Sequence, residues 1–372
     1  MSIKPYSHYT KKAFSDLKKI QDGDKLLPKT GFDFIDSHLG CLLPSDCILI
    51  SSPSGTGKTT VAQKIKENIL NTDINPNALN YVFLDYSLEM KVFNLIMRAS
   101  SQLLGKKKSE VLFNNFTEEE QKIIKEYYND LNDDRKFISQ TPPTPEQFNK
   151  ECSEFLETHK DKDAVFICID HLLLLSGTDK QKLLEKLCEY INQIKLKYEN
   201  VYFLLISQSN REIYGRAAEK NNRSAPMPLD VFGSSFMDQL CAFNIFLYNP
   251  YRLGIENYMK VNPARYEYLE DYFTEEDSKG KVSFLAEGLI FAHCLKVRES
   301  DDVYKDIYVI DTGQREKKQE PKQKELFKTP VFSTDKTEDI EFDSPVPVNF
   351  DMNAAFGEPD NTSLEEDDEV PF

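Results

Sequence analysis

Ser52-Pro53-Ser54-Gly55-Thr56-Gly57-Lys58-Thr59-Thr60 constrains the fold more than any other stretch of the chain. It follows an apolar run, Cys47-Ile48-Leu49-Ile50, and opens an amphipathic stretch, Val61–Leu70. Strand, glycine-rich turn and helix in that order make a phosphate cradle. Gly55 and Gly57 let the backbone curl until several N–H groups point at one anion, and the helix N-terminus adds its partial positive charge. Lys58 supplies a full charge to the β- and γ-phosphates of ATP, and Thr59 offers a hydroxyl to Mg²⁺. Ser54, Thr56 and Thr60 complete the cradle. Ser52 stands where the motif G-x-x-x-x-G-K-[ST] has its first glycine, and a small residue serves there.

A cradle of this kind needs a second metal-binding carboxylate at the end of a neighbouring strand. The buried-strand pattern Ala164-Val165-Phe166-Ile167-Cys168-Ile169-Asp170 ends in one, so Asp170 is the expected partner of Mg²⁺. A strand-terminal Asp capping the next turn is the plainer alternative. Tyr81-Val82-Phe83-Leu84-Asp85-Tyr86-Ser87-Leu88-Glu89-Met90 places Glu89 just past another strand, where it can orient the attacking water. The same Glu also fits a charge complement at a helix start. Gln208 ends the run Leu204-Leu205-Ile206-Ser207-Gln208, as a detector of the γ-phosphate or as an ordinary surface amide.

The remainder of the chain fits one motor with two appendages. Ser7 to Gln21 carries Ala13, Phe14, Leu17 and Ile20 at helical spacing among lysines, a short helix that needs something to dock on. Between Thr30 and Asp311 strands alternate with helices: Cys47–Ser51, Tyr81–Asp85, Val165–Asp170, Val201–Ser207, Phe243–Tyr248, Leu289–Val297 and Lys305–Ile310. That alternation predicts an α/β fold with a mostly parallel central sheet flanked by helices. After Gln314 the composition turns to Lys, Glu, Pro and Asp, as in a disordered tail. The expected division is 1–29, 30–314 and 315–372.

Charge has to be read by region. Residues 331–372 hold 13 acidic residues and one lysine, a net of −12, which leaves −4 of the chain's −16 for residues 1–330. The body's charge therefore neither favours nor excludes DNA. The seven cysteines form no C-x-x-C pair, and the five histidines show no metal-ligand spacing. With a polar N-terminus and no apolar run long enough to span a bilayer, a reduced cytoplasmic protein is expected.

The ordered set of Thr30-Gly31-Phe32 through Asp36, the phosphate cradle, Tyr86-Ser87-Leu88-Glu89-Met90, Ile169-Asp170 and Ser207-Gln208-Ser209-Asn210-Arg211 resembles the DnaB-type replicative helicases. Gly233-Ser234 with Asp238-Gln239, and Lys296-Val297-Arg298, continue that order. The resemblance covers Thr30 to Ile310 and implies a RecA-like P-loop ATPase that translocates on single-stranded DNA, 5′ to 3′, as a homo-oligomeric, hexameric ring. Lys58, Thr59 and Asp170 then hold MgATP, Glu89 is the catalytic base and Gln208 the sensor. Lys296 and Arg298 resemble the lysine and arginine finger that reach into the adjacent subunit's nucleotide site. On spacing alone, Lys-x-Arg is also the solvated face of an edge strand. His171 and Leu173 stand where the family has Tyr and Gln. Fewer than 30 residues precede the motor, so no N-terminal helical collar is expected, and the first helix resembles the linker that packs on the next subunit.

The family's DNA loop falls after Gln208. Arg211, Arg216, Lys220 and Arg223 lie there among Gly215, Asn221 and Asn222, a cationic stretch suited to following a phosphate backbone without reading bases. A solvated loop has the same composition. The final residues Asp367-Asp368-Glu369-Val370-Pro371-Phe372 resemble the acidic tip of bacterial single-stranded-DNA-binding proteins, which implies recruitment of replication or repair proteins through Asp367, Asp368, Val370, Pro371 and Phe372. A solubilising tail, or a competitor for the motor's own DNA loop, fits the same residues. A RecA-like scaffold that switches assembly on single-stranded DNA, as a recombination or replication mediator, is the alternative to a translocating motor.

Overall fold

The computed structural model describes residues 5–172, 175–218, 225–298 and 307–311. Its strands are β1 (Cys47–Ser52), β2 (Tyr81–Ser87), β3 (Lys136–Ser139), β4 (Ala164–Asp170), β5 (Val201–Gln208), β6 (Phe243–Tyr248), β7 (Asn257–Val261), β8 (Val282–Leu285), β9 (Leu289–Val297) and β10 (Ile307–Asp311). The helices are α1 (Tyr6–Gln21), α2 (Asp33–Leu39), α3 (Lys58–Leu70), α4 (Val92–Leu103), α5 (Lys108–Phe113), α6 (Glu118–Leu131), α7 (Pro145–Thr158), α8 (Lys180–Lys197), α9 (Glu212–Ala218) and α10 (Ser234–Leu240).

Eight of the strands form one sheet in the order β10-β9-β6-β1-β5-β4-β2-β3. Neighbours from β3 through to β6 are parallel, whereas β9 runs antiparallel to β6 and β10 antiparallel to β9. The central strands are apolar at consecutive positions because helices cover both faces. Along β4, Val165, Ile167 and Ile169 pack with Leu184, Leu187 and Ile191 of α8. The alternate residues Ala164, Phe166 and Cys168 pack with Ala62, Ile65 and Ile69 of α3. This is the period-two alternation of a strand serving two cores at once.

The parallel registers decide what shares the carboxyl edge. Ser52 pairs with Gln208, Ser87 with Asp170, and Asp170 with Ile206. The ends of β1, β5, β4 and β2 therefore lie side by side, each about 4.8 Å from the next. Open α/β sheets bind ligands off this edge.

The anticipated strands all form, several lengthened or shifted by a residue or two. Three others were not anticipated. β3 is a four-residue edge strand whose burial is only partial, which leaves little alternation to read. β7 and β8 pair as a separate two-stranded sheet between β6 and β9. Tyr258 and Phe284 of this insertion pack edge-to-face on Phe291 of β9, and Tyr266 packs edge-to-face on Phe284, joining the insertion to the main core. α1 forms as expected, and its Lys12 pairs with Glu199. Its apolar side stays open, with Tyr6 85% and Phe14 75% exposed. The expectations for Leu173, Lys220, Arg223 and the tail residues 315–372 lie outside the described residues.

Candidate active site

Helix α3 begins at Lys58, earlier than Val61, so Lys58, Thr59 and Thr60 occupy its first turn. The first bond into the helix runs from the Val61 N–H to the Gly57 carbonyl at 3.0 Å. The N–H groups of the three preceding residues thus have no intrahelical acceptor and are available to an anion. Gly55 and Gly57 have φ of +77° and +97°, a region that side chains with a Cβ avoid. The curled cradle depends on them.

Lys58 is only 6% exposed, and its Nζ lies 3.4 Å from the Ser52 carbonyl and 3.5 Å from that of Pro53. Burial lowers its pKa, and the carboxylates of Glu89 and Asp170 pull it back up. Asp170 is 5% exposed and its pKa is raised to about 6. Burial is the main cause. Lys66 opposes it, Asp85 and Glu89 add to it, and a hydrogen bond from the Thr59 hydroxyl lowers it. The Oδ1 atom of Asp170 is buried without a hydrogen-bond partner. A carboxylate kept from water, with an orphaned oxygen and the Thr59 hydroxyl beside it, fits a divalent cation. Its remaining ligands would come from phosphate oxygens and water.

Glu89 projects from a short clamped turn beyond β2. The Leu88 N–H bonds to the Asp170 carbonyl at 2.7 Å, and the Met90 carbonyl accepts from Ser87 Oγ at 3.1 Å and from Gln140 Nε2 at 3.0 Å. α4 starts only at Val92 and its first turn holds no acidic residue, so Glu89 is not a helix charge complement. Its charge is felt at Lys58, Asp170 and His171. Gln208, partly buried, places Nε2 3.2 Å from Nε2 of His171. Burial lowers the pKa of His171, with Glu89 opposing and Lys58 assisting. The structure thus brings Lys58, Thr59, Glu89, Asp170 and Gln208 to one place.

Three further groups at this edge escaped the sequence reading. Arg252, in the turn after β6, donates from Nη1 to the Gly55 carbonyl at 2.5 Å. Arg98 on α4 donates to the Thr60 hydroxyl at 3.1 Å. Lys66 on α3 pairs with Asp85 beneath Asp170, and although burial alone would lower its pKa, Asp85 holds it above its ordinary value. None has a local sequence signal, because each contact joins distant elements.

Lys296 and Arg298 are not part of this cluster. Because β9 runs antiparallel, its carboxyl end meets the opposite end of the sheet: Val297 pairs with Phe243, which pairs with Ile48. Arg298 lies just past that point, with its N–H on the Ala242 carbonyl at 2.7 Å. Six residues of β1 separate this edge from the cradle, roughly 20 Å at the usual strand rise. The other end of β9 is the one beside the cradle, where Ile290 Cδ1 lies 3.7 Å from the point a Cβ on Gly57 would occupy.

The segment after Gln208 leaves and returns through a clasp. The Asn210 N–H bonds to the Asp230 carbonyl at 2.6 Å, the Asn210 side chain donates to the Leu229 carbonyl at 2.7 Å, and Ser209 bridges Val231. Arg211 is exposed. Arg216, expected on the DNA path, is instead tied to the fully buried Asp230 as an ion pair. Asp230 follows Arg216 at a distance along the chain that no local pattern reveals.

Residues 28–268 match the family described as DnaB-like helicase C terminal domain. Among solved structures, the chain is similar to the ATPase domain of G40P, with 16% identity and a TM-score of 0.59 over 83% of this chain and 95% of that one. It is also similar to a DnaB-like replicative helicase described with its interactions with primase, with 15% identity and a TM-score of 0.55 over 83% of this chain and 64% of that one. At these identities the structural likenesses speak for the fold, which is RecA-like. No curated protein sequence matches the chain. The family match spans well over half of the chain and takes in the cradle, Glu89, Asp170 and Gln208, so this protein belongs to the DnaB-like helicases and its body is their ATP-hydrolysing helicase motor.

Proposed function

We propose that the chain works as a homo-oligomeric ring, hexameric as the resemblance implies, that translocates on single-stranded DNA in replication while ATP is hydrolysed between adjoining copies. One observation carries this reading. Lys296 and Arg298 sit at the end of the sheet opposite their own cradle. A copy therefore cannot complete its own site with them, but it can offer them to the next. The open apolar side of α1 supports the same arrangement, since Tyr6 and Phe14 stay exposed and find no covering surface among the described residues.

Within each site the backbone of Ser54, Gly55, Thr56 and Gly57, the first turn of α3 and Lys58 hold the triphosphate, and Thr59 with Asp170 holds Mg²⁺. The bound cation neutralises phosphate charge. Glu89 accepts a proton from the attacking water, and Arg298 with Lys296 of the neighbour stabilises charge on the transferred phosphoryl group. Gln208 answers to the γ-phosphate and moves the segment after it. Arg211, Lys220 and Arg223 supply cations along the DNA path, with Arg216 anchoring the segment through Asp230.

The tail is a second element of the proposal. Asp367 and Asp368 steer and Val370, Pro371 and Phe372 insert, recruiting a replication or repair protein with a basic-rimmed apolar pocket. A cytoplasmic setting suits this machinery, and no helix among the described residues is long and apolar enough to cross a membrane. The testing experiment is unwinding of a forked duplex by wild type, Lys58→Ala and Arg298→Ala. Strand separation by wild type, lost in both variants, is the expected result. DNA-dependent ATP hydrolysis without any unwinding by wild type would favour an ATP-switched scaffold instead.

A further inference from the structure

His171 joins the phosphate site to the clasp, and it does so where this chain departs from its family's usual residue. It follows Asp170 directly at the end of β4, is 4% exposed, and lies against Gln208 at the end of β5. The contact joins Nε2 of the imidazole to the amide nitrogen of Gln208. An amide nitrogen can only donate, so this ring nitrogen carries the lone pair and the ring proton sits on Nδ1. That bond fixes which way the Gln208 amide faces, and the amide oxygen is turned away from the imidazole.

Beyond Gln208 the contacts continue without a break. The Gln208 carbonyl accepts from the Phe232 N–H at 3.3 Å, Ser209 bridges Val231, and Asn210 is bonded to Asp230, whose carboxylate holds both Arg216 and, at 2.7 Å, the Met227 N–H. Every link from Asp170 to Arg216 is a covalent neighbour or a hydrogen bond. His171 to Gln208 is the side-chain link that joins the phosphate site to the clasp, as Asp230 to Arg216 is within the clasp.

We propose that His171 is a positioning residue that fixes the rotamer of the Gln208 amide, so that the occupancy of the phosphate site is transmitted to the clasp at both ends of the 211–227 segment. The identity of what that segment binds rests on the motor reading above; the transmission itself does not. A phenyl ring in place of the imidazole fills much the same volume but offers no acceptor. Losing one neutral hydrogen bond frees the amide by about fivefold in population. A glutamine there can reach with its own amide oxygen and accept from Gln208.

The test uses the full chain as wild type, His171→Phe and His171→Gln, with and without Mg²⁺ and a non-hydrolysable ATP analogue. Amide hydrogen exchange is followed in residues 209–218 and 225–232. In wild type the analogue should slow exchange there. In His171→Phe that slowing should shrink by about fivefold, while affinity for a fluorescent ATP analogue stays within about twofold, and His171→Gln should regain the response. Adding His171→Phe to Gln208→Ala should cost nothing further, because the imidazole acts only through that amide. Four results overturn the proposal: no nucleotide effect on exchange in wild type, a wild-type response in His171→Phe, equal failure of the Phe and Gln variants, or affinity falling in step with the response. ATP hydrolysis with and without single-stranded DNA, run on the same wild-type protein, judges the motor reading separately.

Discussion

Replacing Asp170 with Asn should stabilise the metal-free protein while destroying its activity. In the unfolded chain this carboxyl ionises near 3.8, and in the folded, metal-free site its pKa is raised to about 6, chiefly by burial. Between those values the folded protein holds a proton that the unfolded chain has released, so stability falls as pH rises through that window and stays low above about 6. The difference corresponds to ~3 kcal/mol at neutral pH. Asn keeps the shape without the charge. The attraction of Lys66 is already contained in that pKa, so the expected gain is about 3 kcal/mol at about pH 7.5, shrinking to about 1 kcal/mol at about pH 4.5. Urea unfolding in the presence of a chelator at both pH values measures it. With Mg²⁺ and an ATP analogue the order should reverse, because only wild type gains stability from the bound cation. An Asn variant that is less stable than wild type at about pH 7.5 without metal, or a gain that is equal at both pH values, would refute the account of this site.

The other expectations are simpler. Arg252→Ala removes a charged donor from the Gly55 carbonyl at the open side of the cradle, and should raise KM for ATP about fivefold with a smaller change in kcat, read from steady-state hydrolysis. Asp230→Ala leaves Arg216 without its buried partner and should cost about 2 to 3 kcal/mol in urea unfolding, with proteolytic cleavage appearing first near Arg216. Deletion of Phe372 should abolish capture of any protein that binds the immobilised tail, and undiminished capture would remove the recruiting role.

The sequence was most legible where chemistry forces a local order. A strand, a two-glycine turn and a lysine opening a helix can be read from the letters because backbone curvature and charge must occur together, and Asp170 followed from the same requirement. The strands that carry these residues were legible because both faces are buried. What escaped depends on contacts across the chain. Arg252 meets Gly55, and Arg98 meets Thr60, only once the sheet order is known. Arg216 looked like a free cation because nothing near it announces a fully buried Asp230. The β7–β8 sheet was hidden because β7 is interrupted by a bulge between Tyr258 and Lys260 and β8, though it alternates, is only four residues long; aromatic packing onto β9 holds the pair. The placement of Arg298 far from its own cradle is a consequence of β9 running antiparallel, which no local pattern states.

That placement is open to direct measurement by mixing two inactive variants. Lys58→Ala lacks a working cradle but keeps its finger, and Arg298→Ala has the reverse defect, losing on the order of 10³-fold in rate. Mixed in equal amounts and allowed to assemble, about a quarter of the interfaces join an intact cradle to an intact Arg298. DNA-stimulated ATP hydrolysis should return in the mixture to as much as about a quarter of the wild-type rate, with neither variant active alone. A mixture as inactive as its components, or an Arg298→Ala protein that hydrolyses ATP at full rate by itself, would contradict a site shared between copies.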